Sequence, residues 1–295
     1  MKQTLFTGSG VALVTPFTKD GVDYETLAKL IEFHIDNGTD AIISCGTTGE
    51  SATMPDKEHC AVIRFTVEKT AGRIPVIAGT GSNDTAHCIE LSKEAQRLGA
   101  DGLLLVTPYY NKATQKGLIK HYEMVAGAVQ LPIILYSVPS RTGVNITPET
   151  CLELSKIDNI TAIKEASGNV VQAMQIKRLC GDAMDIYSGN DDLTVPLLAI
   201  GGKGVISVAA NILPREMHDM VAWYLAGETQ KSLDLQLKLL PLMDALFVEV
   251  NPIPVKTAMN LMGMQVGDLR MPLCEMGETG LATLKRALAD YRLIN

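Results

Sequence analysis

Gly102-Leu103-Leu104-Leu105-Val106 and Ile133-Ile134-Leu135-Tyr136-Ser137, separated by a stretch of helical period, decide how this chain must fold. Each run is apolar almost throughout, the character of a strand covered on both faces. Two such strands joined through a helix pair in parallel by a right-handed crossover. The same unit recurs outward from this pair. Towards the amino terminus the runs are residues 76–78, 41–44 and 11–14; towards the carboxyl terminus they are 161–164, 185–187 and 204–208. Gly, Pro, Asn or Ser bounds each of them. Eight strands alternating with helices predict an α/β fold closed into a (β/α)8 TIM barrel.

The intervening helices carry their own punctuation. Asp23 with Thr26, Pro55 ahead of Asp56, Asp84, and Thr147-Pro148-Glu149 are start signals, and Gly38, Gly72 and Gly99 stand where helices should stop. From about Gly227 the strand signals cease, and helical patterns follow over residues 229–250, 254–262 and 278–294. The expectation is a barrel over residues 1–226 and a C-terminal helical appendix over 227–295 packed on it.

The chain has 295 residues, 46% hydrophobic and 20% charged, enough to bury a sizeable core, which excludes disorder and a fibrous build. Its 26 Lys and Arg against 33 Asp and Glu leave a net charge of −7, unsuited to unspecific binding of nucleic acid or anionic lipid. An anionic substrate must therefore be met by local cations. Neither a leader nor a membrane span is expected, so the protein reads as cytoplasmic. Six scattered cysteines without a C-x-x-C read as mostly buried thiols.

In a parallel barrel the active site lies at the carboxyl ends of the strands. The residues there are Gly46-Thr47-Thr48-Gly49-Glu50 after the second strand and Thr107-Pro108-Tyr109-Tyr110-Asn111 after the fourth. Tyr136-Ser137-Val138-Pro139-Ser140-Arg141-Thr142-Gly143 closes the fifth, Lys164-Glu165-Ala166-Ser167-Gly168 the sixth and Ser188-Gly189-Asn190-Asp191 the seventh. Ile160, Ala162 and Lys164 alternate onto one face, which aims the Lys164 amine into the barrel. Desolvation there disfavours the ammonium form and makes the amine a nucleophile towards carbonyl carbon. A lysine at a strand end is otherwise usually exposed, so this residue alone decides little.

The Gly46–Glu50 loop offers amides and hydroxyls at a helix start to a carboxylate or phosphate, or is an ordinary turn. Tyr110 and Tyr136 are either core aromatics or proton carriers. Arg141 is a surface charge or a bidentate carboxylate anchor. The Gly-x-Gly stretches at Gly8, Gly79 and Gly202 lack the third glycine of a dinucleotide fingerprint. His34, His59, His87, His121 and His218 fall on predicted helices, away from strand ends, and without metal-ligand spacing.

Together, Gly46-Thr47-Thr48-Gly49-Glu50, the stretch Tyr136 to Gly143, Lys164-Glu165-Ala166 and Gly204-Val205-Ile206-Ser207-Val208 resemble the pyruvate-dependent class I lyase family, over essentially the whole chain. Within it, the match is to the branch whose acceptor is L-aspartate 4-semialdehyde, in diaminopimelate and lysine biosynthesis. The resemblance implies that Lys164 forms a Schiff base with pyruvate and that Tyr136 is the general acid and base. Thr47 would join Tyr136 to Tyr110 in a proton relay, with Tyr110 supplied by a neighbouring subunit of a homotetramer built as a dimer of dimers. Thr48 would hold the pyruvate carboxylate, Gly189 and Ile206 would line the site through their carbonyls, and Arg141 would position the second substrate. No metal or organic cofactor is implied, because the imine on Lys164 is the covalent handle.

Ser137 departs from the asparagine common in that family, a change expected to matter little. Members inhibited by lysine bind it with residues matching Ser51, Ala52, Asp56, His59, Asn83, His87 and Tyr109, and typically carry histidine and glutamate at the positions of Asp56 and His87. A histidine in place of the carboxylate predicts weak or absent lysine feedback. Two other activities compete: an N-acetylneuraminate lyase or 2-keto-3-deoxy sugar acid aldolase on the same barrel, against which the Arg141 loop argues, and a non-catalytic keto-acid-binding barrel.

Overall fold

The computed structural model describes residues 2–295. Eight parallel strands close into a barrel. They are β1 (Gly8–Ala12), β2 (Ala41–Ser44), β3 (Val76–Gly79), β4 (Gly102–Val106), β5 (Ile133–Ser137), β6 (Ile160–Glu165), β7 (Asp185–Ser188) and β8 (Gly204–Ser207). β1 completes the ring by pairing with β8 through Gly8 and Gly204 and with β2 through Gly10 and Ala41.

β1 begins at Gly8 and ends at Ala12, earlier than the expected 11–14. Gly8 and Gly10 look like turn residues in sequence, but they belong to the closing seam. A Cβ on Gly204 would lie 1.8 Å from the Gly8 carbonyl oxygen, and one on Gly10 2.7 Å from Ile43 Cδ1. Strands that approach so closely exclude side chains at those points.

Two apolar clusters separate the inside of the barrel from its outer layer. Phe6, Ala12, Ile43, Ile77, Leu104, Ile134, Ala162, Tyr187 and Ile206 are members of the inner one, whereas Ile31, Ile63, Ile133 and Ile163 pack in the larger barrel–helix core. Ile160 belongs to the outer cluster, contrary to simple alternation with Ala162 and Lys164. A register shift explains it: Ile133 pairs with Ile160 but Ile134 with Ala162, so an extra residue reverses the facing of the strand start.

The barrel helices are α1 (Tyr24–Asp36), α2 (Asp56–Thr70), α3 (Thr85–Arg97), α4 (Gln115–Ala128), α5 (Pro148–Leu154), α6 (Val170–Cys180), α7 (Thr194–Ala199) and α8 (Pro214–Leu225). Asp23, Asp84 and Thr147 cap α1, α3 and α5 by accepting from the amides of Thr26, Ala86 and Thr150. After these come α9 (Thr229–Ala245), α10 (Ile253–Leu261) and α11 (Glu278–Asp290). α9 ends at Ala245, short of the expected residue 250. The chain leaves the helix there, and Asn251 and Pro252 lie at the mouth of the barrel, where both line a cavity with Thr47 and Arg141. Among the described residues no helix is long and apolar enough to cross a membrane.

Candidate active site

Lys164 is 5% exposed, at the carboxyl end of β6. Its register partners are Tyr136 on β5 and Tyr187 on β7, and its Nζ stands 4.3 Å from the centroid of the Tyr136 ring. Tyr187 stacks on Phe6 with centroids 4.3 Å apart and donates its hydroxyl to the Phe6 carbonyl, which occupies that phenol away from chemistry. Gly189 leaves room for the lysine: a Cβ there would lie 3.1 Å from Lys164 Cε and 2.6 Å from Ala166 Cβ. Ile206 is buried in the inner cluster.

The Gly46–Glu50 loop leads into a short 3-10 turn, Ser51–Thr53, rather than straight into a helix. The amides of Gly49, Glu50 and Ser51 are used within it, on the carbonyls of Gly46 and Thr47. Among the described residues, no hydrogen bond engages the amides of Thr47 or Thr48, which leaves both donors free. Thr48 Oγ1 accepts from Asn251 Nδ2 at 3.0 Å. Arg141, on the helical turn Pro139–Thr142, donates through Nη2 to the Asn251 carbonyl at 2.9 Å. One residue of the appendix thus touches both expected carboxylate binders.

Glu50, at φ 55°, pins the loop from behind. Its carboxylate is 2.8 Å from Lys256 Nζ, both side chains being 1% exposed. Lys256 also donates to the carbonyls of Thr15 and Asp268, and the Arg270 amide donates to Glu50. Burial pulls the Lys256 ammonium below its ordinary range, opposed chiefly by Glu50. Behind Lys164, Asp191 is 3% exposed and accepts from the amides of Val208 and Ala209. Burial raises its carboxyl, while Ser207, those two amides and the Lys164 charge oppose the rise. Asn251 and Lys256 are the functional candidates that sequence reasoning passed over, and Asp191 stood there only as part of a strand end, without a role. Asn251-Pro252 breaking a helical pattern was the one visible signal.

A cavity of about 450 Å³ joins the mouth to the expected effector residues. Thr47, Val138, Arg141, Thr142 and Asn251 line one part; Ser51, Ala52, Asp56, His59, His87 and Tyr109 line the other. Asn83 lies alongside, donating to the Tyr109 carbonyl. One expectation about the histidines changes here. His59 lies on α2, yet its Nε2 is 2.9 Å from the carbonyl of Gly79, the last residue of β3, so its ring does reach a strand end. His87 likewise turns into the cavity, 3.0 Å from Asp56. No cluster of metal ligands occurs among the described residues. Tyr110 is 89% exposed at φ 74°, on the outside of its own chain, and is not brought to Thr47 or Tyr136.

A buried amine beside a phenol, free amides and hydroxyls for one carboxylate, and a guanidinium for another suit covalent carbonyl chemistry on small acids. The model of the dihydrodipicolinate synthetase family matches residues 5–291. The 4-hydroxy-tetrahydrodipicolinate synthase of Caldicellulosiruptor bescii is 62% identical over 98% of each chain. A solved chloride-inhibited dihydrodipicolinate synthase from Acinetobacter baumannii, complexed with pyruvate, superposes with TM-score 0.95 at 46% identity, covering 99% of this chain and 100% of that one. A monomeric dihydrodipicolinate synthase variant gives 0.96 at 44% identity over 98% of each. This chain belongs to the dihydrodipicolinate synthetase family.

Proposed function

We infer that this member of the dihydrodipicolinate synthetase family condenses pyruvate with L-aspartate 4-semialdehyde to give 4-hydroxy-tetrahydrodipicolinate, a precursor of diaminopimelate and lysine. The observation that carries the reading is the buried Lys164 amine, 4.3 Å from the Tyr136 ring at the carboxyl end of the barrel, in a chain 62% identical to a synthase of that name. Lys164 adds to the pyruvate carbonyl and water leaves, forming a protonated imine. That imine is an electron sink, so a methyl proton passes to Tyr136 and an enamine results. The enamine carbon bonds to the aldehyde carbon of the second substrate, whose oxygen is protonated. The amine of that substrate then attacks the imine carbon, expels Lys164 and closes the ring. Thr48 with the loop amides holds the pyruvate carboxylate, Arg141 that of the semialdehyde, and the carbonyls of Gly189 and Ile206 line the site. Thr47 relays protons between Tyr136 and Tyr110 of a neighbouring subunit, which calls for at least a dimer and in the family pattern a tetramer, in the cytoplasm. The imine on Lys164 supplies the electron sink, so the reading calls for no cofactor.

The test is pyruvate consumption with L-aspartate 4-semialdehyde set beside N-acetylmannosamine and glyceraldehyde, with borohydride trapping of the pyruvate adduct. Preference for the semialdehyde and an adduct on Lys164, absent from Lys164→Ala, are expected. Turnover with a sugar aldehyde alone makes the protein a sugar-acid lyase; no turnover favours the keto-acid-binding barrel.

Lysine feedback should be weak or absent. The carboxylate in the effector part of the cavity, Asp56, is already engaged by His87 Nε2 at 3.0 Å, and His87 Nδ1 lies 3.2 Å from Ser82 Oγ. An incoming ammonium meets a histidine and an occupied acid. Rates at subsaturating pyruvate should change little with millimolar lysine; strong inhibition there overturns this reading.

A further inference from the structure

Asn251 enters the site from the appendix with one polar atom unused. It is 5% exposed and lines the cavity with Thr47 and Arg141. Nδ2 donates to Thr48 Oγ1 at 3.0 Å, and its main-chain carbonyl accepts from Arg141 at 2.9 Å. Oδ1 has no partner among the described residues. A buried carbonyl oxygen without a donor is costly, unless a ligand brings the donor.

We propose that Asn251 is a specificity-determining residue for the second substrate: its Oδ1 accepts from the α-ammonium of the semialdehyde while Arg141 holds the same molecule's carboxylate. The proposal rests on the function inferred above and extends it. The α-ammonium and α-carboxylate of an amino acid share one carbon, and Arg141 Nη2 donates to the main-chain carbonyl of Asn251, so the two residues that would read those groups are adjacent. The other end of the amide has a second effect. With Nδ2 donating to Thr48 Oγ1, the Thr48 hydroxyl proton is left to donate towards the pyruvate carboxylate. One side chain therefore couples the two substrate subsites.

Asn251→Leu keeps size and removes both functions; Asn251→Asp keeps the acceptor and removes the donor. Borohydride trapping of pyruvate on Lys164 shows first that each variant is folded and forms the imine. The KM for L-aspartate 4-semialdehyde is then set against the inhibition constant of succinic semialdehyde, the same chain without the amine. For Asn251→Leu the KM should rise about tenfold or more, as for loss of a hydrogen bond to a charged group, while the inhibition constant changes less than about twofold. Asn251→Asp should restore the semialdehyde KM and raise that for pyruvate. If both semialdehydes weaken together, or neither does, Asn251 does not read the amine. Failure of the wild-type protein to use the semialdehyde at all would instead refute the function itself.

Discussion

Gly189 shows how a residue without a side chain directs the chemistry of another. Its missing Cβ would stand 3.1 Å from Lys164 Cε and 2.6 Å from Ala166 Cβ, so alanine forces either the strand end or the lysine stem to move. Gly189→Ala should slow imine formation about tenfold or more, since misplacing a nucleophile by about 1 Å costs up to a hundredfold. The trapping rate with pyruvate and borohydride measures it, and an unchanged rate would show that the lysine does not depend on this gap. In sequence Gly189 was one glycine in a strand-end loop. What makes it necessary is the Lys164 side chain on the adjacent strand, a contact no local pattern records. Lys164 itself was legible because its strand is apolar up to that residue, although the facing of the strand start was misread at the register shift.

Elements announced by local chemistry were legible. β2, β4 and β5 occupy the predicted residues, and the caps Asp23, Asp84 and Thr147 bond as their types suggest. The reasons are short-range: apolar runs, capping side chains and glycine stops. β1 was misplaced because its glycines answer to strands β2 and β8 rather than to a turn. The union of loop and appendix was not legible at all, since Glu50 and Lys256 are 206 positions apart. This buried pair joins the Gly46–Glu50 loop to α10, and breaking half of it leaves a charge without compensation. Lys256→Met should cost about 3–5 kcal/mol. Because an apolar replacement of the whole pair is often tolerated, the double variant Glu50→Gln, Lys256→Met should recover part of that loss. Urea unfolding measures both; a double variant as unstable as the sum of the singles contradicts an isolated charge as the cause.

At the scale of the whole molecule, the proposed relay is not assembled within one chain. Tyr110 is 89% exposed and held at positive φ, away from the amine and phenol it is proposed to serve. If it serves a neighbour, two inactive proteins can repair each other. Co-refolded Lys164→Ala and Tyr110→Phe should form hybrids in which the Tyr110→Phe chain keeps its lysine and receives an intact Tyr110. Random pairing leaves roughly a quarter of the sites complete, so activity above either parent is expected. Mixtures no better than the parents would place Tyr110 outside the relay or within its own chain's site. Stopped-flow proton release and size-exclusion chromatography on the same mixtures separate the chemistry from the assembly.

The sequence by itself determined the barrel, the helix boundaries set by caps and glycines, and the strand ends that carry Lys164, Tyr136, Thr47 and Arg141. Those features rest on periodicity and on residue types acting over a few positions. Only the tertiary structure decided that Asn251 bridges Thr48 and Arg141, that Lys256 is buried against Glu50, and that Gly8, Gly204 and Gly189 are required by close approach. These depend on which distant segments meet, and burial gives each meeting its energy: an amide oxygen or an ammonium that water would satisfy anywhere else must find its partner in the fold.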